Sequence, residues 1–234
     1  RGRQVVPLRR NMAFEIETKD CTAVTDAELG ELEAVAADSP CAFSMGLLSK
    51  QAEEWVLLTT ARENDKLRGY VFYTLERIGG TPAVVMGLAS VERNNKRATI
   101  LRSLMSEVYH RALMAFPDED VVFGTQLINP GAFEVFRDLE QELPKYGHKV
   151  SGEERAWGTR FAKRLGVSSL AYDDRTFVAL GDGSTPRIFD YESAKEDKVS
   201  KDVQDLFKAV QVENGDTLIA LAWAMAERLE KLGR

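Results

Sequence analysis

The apolar and polar positions of this chain alternate in some stretches and recur at helical spacing in others. Strands are predicted where β-branched and aromatic residues cluster between turn residues, over Met12 to Lys19, Trp55 to Ala61, Leu67 to Arg77, Ala83 to Val91, Val121 to Leu127 and Thr176 to Leu180. Helices are predicted where apolar residues recur at every third or fourth position, over residues 25–38, 98–116, 132–143, 152–165 and 218–232. The pattern therefore predicts a mixed α/β protein.

Three of the predicted strands follow one another closely between residues 55 and 91. The turns between them, Glu63 to Lys66 and Gly79 to Pro82, are short. Turns of this length join neighbouring strands that run in opposite senses. We therefore expect an antiparallel meander, followed by a helix that crosses over to the strand at Val121.

The last third of the chain differs in character from the rest. From Ser193 onward it is charged and has helical spacing, and the predicted helix from Leu218 to Leu232 is apolar on more than one side. A helix of this kind needs cover. Either the main sheet or another subunit would provide it.

Composition narrows the classes of function. The 234 residues carry a net charge of −6, which argues against a general nucleic-acid binder. Cys21 and Cys41 are too few for a disulfide framework, and His110 and His148 form no ligand cluster with them, so no metal site is expected. No apolar run is long enough to span a bilayer. A soluble, cytoplasmic protein is expected.

The polar segment Glu92 to Arg97 lies between the strand Ala83 to Val91 and the long helix that follows. The first turn of a helix presents free backbone N–H groups and the positive end of its dipole. Arg93, Lys96 and Arg97 add cations there. This combination predicts an anion site, and the alternative is a solvated charged loop before a surface helix.

Two segments, Val91 to Leu104 and Asn129 to Leu139, resemble the GCN5-related N-acetyltransferase (GNAT) superfamily. In that family the fourth strand ends in an Arg/Gln-x-x-Gly-x-Gly/Ala loop that holds the coenzyme A pyrophosphate. Lys96, Thr99 and Leu101 lie at the Arg/Gln, Gly and Gly/Ala places. Asn129 matches a family asparagine, and Phe136 lies at the place of a tyrosine.

The resemblance implies a GNAT-like fold, α+β with a mostly antiparallel sheet flanked by helices and a helical C-terminal extension. Its domain would span residues 1–191, with a helical insertion near residues 150–166, and the extension would span residues 192–234. Acetyl-CoA or another acyl-CoA would be the co-substrate. The residues implied to bind it are Val91, Arg93, Lys96, Arg97, Thr99 and Asn129.

The resemblance also implies a catalytic role for Glu92, and both Glu92 and Asn129 have a simpler alternative role. Glu92 would be the general base that removes a proton from the attacking amine, or else a solvated turn carboxylate. Asn129 would hydrogen-bond the pantetheine arm, or else cap the turn before Pro130.

The departures from the motif leave two functions open. Thr99 and Leu101 add side chains where glycine lets backbone approach an anion, and Phe136 cannot protonate a leaving thiolate. The first hypothesis is an acyl-CoA-dependent N-acyltransferase that acts on a small-molecule or protein amine. The second is a catalytically inactive GNAT-like module that binds a protein partner or forms a homodimer through its C-terminal helices.

Overall fold

The computed structural model describes residues 14–234 and contains one large mixed sheet flanked by helices. Met12 and Ala13, at the start of the first predicted strand, lie outside the described residues. The strands are β1 (Glu15–Asp20), β2 (Leu57–Glu63), β3 (Lys66–Ile78), β4 (Thr81–Val91), β5 (Val121–Leu127), β6 (Glu140–Leu143), β7 (Tyr172–Asp173), β8 (Val178–Ala179), β9 (Phe189–Asp190) and β10 (Thr217–Ala224).

Six α-helices accompany the sheet within residues 14–234. They are α1 (Asp26–Val35), α2 (Met45–Glu54), α3 (Arg97–Ala115), α4 (Gly152–Arg164), α5 (Lys201–Leu206) and α6 (Ala226–Gly233). The capping boxes that begin α1 at Thr25 and α4 at Ser151 are both formed. Among the helices of residues 14–234, none is long and apolar enough to cross a membrane.

The strand order is β1-β2-β3-β4-β5-β10-β8-β7. The predicted meander β2-β3-β4 is confirmed, and every pairing in it is antiparallel. Strands β4 and β5 pair in parallel because α3 carries the chain back across the sheet between them. The predicted mixed, mostly antiparallel architecture is therefore confirmed.

The edge of β4 that faces away from β3 is shared between two partners. Its first half pairs with β5, from Ala83 to Val85. Its last residues, Ala89 and Ser90, pair in parallel with the two residues of β9. A segment from late in the chain thus covers the end of β4.

The predicted helix from Leu218 to Leu232 is wrong in its first half. Residues Thr217 to Ala224 form β10, a central strand paired with β5, β6 and β8, and only α6 is helical. Leu218 to Ala222 are all fully buried. A strand covered on both faces has a continuous apolar run, which periodicity alone does not distinguish from a buried helix.

Strand β10 also shows what covers the apolar segment of the C-terminal extension. The cover is the main sheet and not another subunit, because β10 belongs to that sheet. The division of the chain at residue 191 stays a prediction. What the structure adds is that the extension is partly β-structure and supplies a core strand.

The predicted helix from Ala132 to Leu143 is also wrong. Pro130–Phe136 forms 3-10 turns, and Glu140–Leu143 is strand β6 against β10. The predicted apolar positions Phe136 and Leu139 are nevertheless buried. Irregular structure with inward apolar residues reproduced a helical spacing. The pattern predicted no helix over Met45–Glu54, where the structure has α2.

Two glycines show how closely the helices approach the sheet. A Cβ on Gly69 of β3 would lie 2.8 Å from Ile100 of α3, and one on Gly124 of β5 would lie 2.4 Å from the ring of Phe161 in α4. Real Cβ contacts are not this short, so glycine is required at both positions. The close approach at Gly69 fixes the start of α3 against β3, next to the loop that follows β4.

Candidate functional site

The loop between β4 and α3 uses its own backbone N–H groups. The amide of Lys96 donates to Asn94 Oδ1 at 2.8 Å. The amide of Arg97 donates to the Asn94 carbonyl at 3.3 Å, and that of Thr99 to the Lys96 carbonyl at 2.9 Å. A pyrophosphate at this helix start would need amides that are free, and these three are engaged.

Arg93 forms a buried ion pair with strand β9. Its guanidinium donates to both carboxylate oxygens of Asp190, at 2.7 and 3.0 Å, and its Nε donates to Glu192 at 2.8 Å. The side chain of Arg93 is 11% exposed and that of Asp190 is 0% exposed. The hydrogen bonds that Arg93 donates to the buried Asp190 raise the pKa of Arg93 further above its usual range. This cation is directed at the protein's own carboxylates.

The other two predicted phosphate-binding cations are paired as well. Lys96 Nζ contacts Glu63 of β2. Arg97 donates from Nε to the Asn94 carbonyl at 2.8 Å, and its Nη1 lies 3.4 Å from Glu192. Each cation of the loop therefore already has an acidic partner in the fold.

Glu92 lies inside a group of cations. It accepts from Arg68 at 2.6 Å, from Lys66 at 3.2 Å and from the Asn94 amide at 2.8 Å. Partial burial tends to raise the pKa of Glu92, but the hydrogen bonds from Arg68, Lys66 and Asn94 outweigh it, and the pKa falls below its usual value. A carboxylate stabilised in this way is a weaker base.

The remaining predicted residues have structural contacts. Val91 is buried opposite Gly69 in the meander. The Thr99 hydroxyl accepts from Arg102 at 3.3 Å. Asn129 caps the following turn through the amide of Ala132 at 3.1 Å, and its Nδ2 donates to the Tyr191 carbonyl at 2.8 Å. The assignment of these residues to a cofactor stays a prediction.

Strand β9 is the element of this region that the sequence did not reveal. The Ala89 amide of β4 donates to the Ile188 carbonyl at 3.0 Å, and Ser90 Oγ donates to Asp190 at 2.8 Å. Ile188, Phe189 and Tyr191 are fully buried. A two-residue strand is too short to give a periodic signal, and its partner lies about a hundred positions earlier.

Two further polar groups lie near Asp190. Burial raises the pKa of the Cys41 thiol, and the charge of Asp190 adds to the effect. Burial, with Asp190 again adding to it, raises the pKa of Tyr70, whose hydroxyl is buried without a hydrogen-bond partner. Cys41 is therefore a buried thiol and not an activated nucleophile.

Two cavities lie away from this loop. One of about 360 Å³ is formed by Phe133, the chain around Pro144, and α5. The other, of about 600 Å³, lies between Leu180 and Asp216. None of the predicted site residues lines either of them.

The chain aligns over part of its length with several solved structures. Ard1 from Thermoplasma volcanium has 13% identity and a TM-score of 0.42, covering 57% of this chain and 88% of its own. The ribosomal-protein-S18-alanine N-acetyltransferase from Escherichia coli has 8% identity and a TM-score of 0.41, covering 59% and 86%. An acetyltransferase of the GNAT family from Streptococcus pneumoniae has 12% identity and a TM-score of 0.38, covering 58% and 92%.

The third of these proteins is named as a member of the superfamily that the sequence resembles. No protein-family model and no curated protein matches the sequence. At such identities and TM-scores, the alignments carry no inference about the activity of this chain.

Proposed function

We propose that this chain is a catalytically inactive GNAT-like module that acts by binding a protein partner. The observation that carries the proposal is the position of β9, which hydrogen-bonds the end of β4 and holds Arg93 through Asp190. The resemblance would place the thioester and the pyrophosphate of acyl-CoA at the end of β4 and the start of α3. The chain's own residues occupy that edge of the strand.

Displacing β9 would cost most of the free energy that a typical cofactor gains on binding. Ile188, Phe189 and Tyr191 are fully buried, and exposing each such side chain costs about 1.5–3 kcal/mol, or about 5–9 kcal/mol together. A ligand with micromolar intrinsic affinity gains about 8 kcal/mol on binding. The cost removes most of that gain, so the observed affinity falls to about millimolar or weaker.

The charges around the loop support the same proposal. Arg93 and Arg97 face Asp190 and Glu192, and Lys96 faces Glu63. An incoming pyrophosphate would have to displace carboxylates that these cations already hold. Each of these three cations therefore already has a carboxylate partner that an anion would have to displace.

The second candidate is an N-acyltransferase that moves an acyl group from acetyl-CoA, or another acyl-CoA, to a small-molecule or protein amine. The observation in its favour is that Arg93, Lys96, Arg97 and Glu92 all lie together at the end of β4. The amine would attack the thioester directly, and Glu92 would remove its proton. This function requires β9 to leave the edge of β4.

The predicted homodimer through the C-terminal helices has less support. Helix α6 packs against α3 of the same chain, where Gly233 meets Leu113 and its carbonyl lies 2.7 Å from His110 Nδ1. Leu229 of α6 is fully buried. This surface of the last helix is thus covered within the protomer. The cytoplasmic location also stays a prediction.

Calorimetric titration with coenzyme A, acetyl-CoA and a longer acyl-CoA tests the proposal. We expect no binding at micromolar ligand and no thermal stabilisation. A bound cofactor at a hundredfold its Kd would instead add about 2.7 kcal/mol.

The double variant Lys96→Gln/Arg97→Gln provides the control, because it removes two loop cations and leaves the buried Arg93 pair intact. Micromolar binding by the wild type that this variant loses would establish the second candidate and contradict the proposal.

A further inference from the structure

The cavity of about 360 Å³ lies in the part of the chain that follows β5. Its floor is apolar and comes from the turn after β5, the β6 region and α5, through Phe133, Phe136, Leu139, Pro144, Val203 and Leu206. The rings of Phe133 and Phe136 meet edge to face, with centroids 5.9 Å apart and an interplanar angle of 69°. Its volume is at the lower end of the range of small-molecule sites, which is about 300–1,000 Å³.

The rim of this cavity carries charges of both signs. Arg137 and Lys145 supply two cations, and Glu142 and Asp202 supply two carboxylates. Within residues 14–234, none of these four side chains has an ion pair or a side-chain hydrogen bond. This differs from the loop after β4, where each cation holds a carboxylate.

We propose that this cavity binds a small zwitterion with an apolar side chain, namely a free aromatic α-amino acid. The ring would lie on the apolar floor, against Phe133 and Phe136, in the edge-to-face or offset arrangement that aromatic pairs favour. The α-carboxylate would accept from Arg137 or Lys145, and the α-ammonium would donate to Glu142 or Asp202.

The rim carries two cations and two carboxylates, and this favours a zwitterion over a ligand that carries a single charge. An apolar anion such as an aryl carboxylate would gain from the two cations but would face two carboxylates. An apolar amine would meet the reverse arrangement. Only a ligand that carries both charges can pair with the cations and with the carboxylates of the rim. The exposed phenol of Tyr146, also on the rim, leaves the entrance open to solvent.

Calorimetry or ligand-observed NMR on the full chain, with three matched probes, tests the site. The probes are L-phenylalanine, 3-phenylpropionate, which lacks the ammonium, and 2-phenylethylamine, which lacks the carboxylate. We expect L-phenylalanine to bind about two- to fivefold tighter than either of the others, since a solvent-screened ion pair at the rim is worth up to about that factor. Absence of L-phenylalanine binding at millimolar concentration, or equal binding of all three probes, would overturn the proposal.

Two surface variants locate the binding. Arg137→Gln should weaken L-phenylalanine and 3-phenylpropionate and should not weaken 2-phenylethylamine. Asp202→Asn should weaken L-phenylalanine and 2-phenylethylamine and should not weaken 3-phenylpropionate. Lys50→Gln, an exposed change on α2, is the matched control and should alter none of them. Equal effects of all three variants would place the ligand elsewhere. The result does not depend on acyl-CoA binding, so it stands apart from the test of the proposed function.

Discussion

Replacing Arg93 with alanine would leave the Asp190 carboxylate in the interior without its ion-pair partner. Asp190 has no exposed surface, and its bidentate contacts to Arg93 are 2.7 and 3.0 Å long. The Ser90 hydroxyl, at 2.8 Å, would remain as a hydrogen-bond donor to it. A neutral hydroxyl does not replace a guanidinium, because the charge stays uncompensated.

The expected loss of stability is about 3–5 kcal/mol, the usual cost of removing one partner of a buried ion pair. Domains have unfolding free energies of about 5–15 kcal/mol, so Arg93→Ala should be close to the limit of folding. Urea unfolding followed by tryptophan fluorescence measures the change. The slope against urea should stay the same if only the native state is affected.

The salt bridge between Arg77 and Glu119 gives a matched control. It is also bidentate, at 2.7 and 2.8 Å, but both side chains are solvent-exposed. Solvent screens such pairs, so Arg77→Ala should lose far less stability than Arg93→Ala. If the two variants lost equal stability, burial would not be the reason why the ion pair between Arg93 and Asp190 stabilises the position of β9.

The unpaired Asp190 carboxylate is the source of the loss expected in Arg93→Ala. Adding Asp190→Asn to Arg93→Ala should restore part of the stability at neutral pH, because it removes the stranded charge.

Three further changes test the packing and titration of the fold. Gly124→Ala should cost about 1–3 kcal/mol through its clash with Phe161. Gly30→Ala, in the middle of α1 and with no atom within 4 Å of the added Cβ, should instead gain about 0.5–1 kcal/mol in urea unfolding. Burial, aided by the charge of Asp20, raises the pKa of Cys21 to about 12. A disulfide reagent at pH 8 should therefore react with Cys21 only after unfolding, and rapid labelling of the native chain would contradict this. The lowered pKa of Glu92 gives stability that is lost as pH falls below 4.5, its ordinary value. Glu92→Gln should therefore flatten the acid side of the stability curve, and an unchanged slope would contradict the ion-pair assignment.

Local pattern was enough to predict much of the first half of the fold. The meander from β2 to β4 and helix α3 were predicted with ends within about two or three residues, because β-branched runs, short turns and helical spacing are all local signals. The cations Arg93, Lys96 and Arg97 were also found from sequence, since a basic segment between a strand and a helix is visible in one dimension. Their partners were not.

The tertiary structure decided what those cations do. Asp190 pairs with Arg93 across 97 positions of sequence, and no property of either segment alone specifies that contact. The apolar run of β10 likewise does not specify its own structure. It is a strand and not a helix because it pairs with β5 in the sheet. Local residue types thus determined which groups carry charge and which segments are buried, but partner choice is a property of the assembled sheet. That choice gave each predicted cation of the loop a carboxylate partner within the fold.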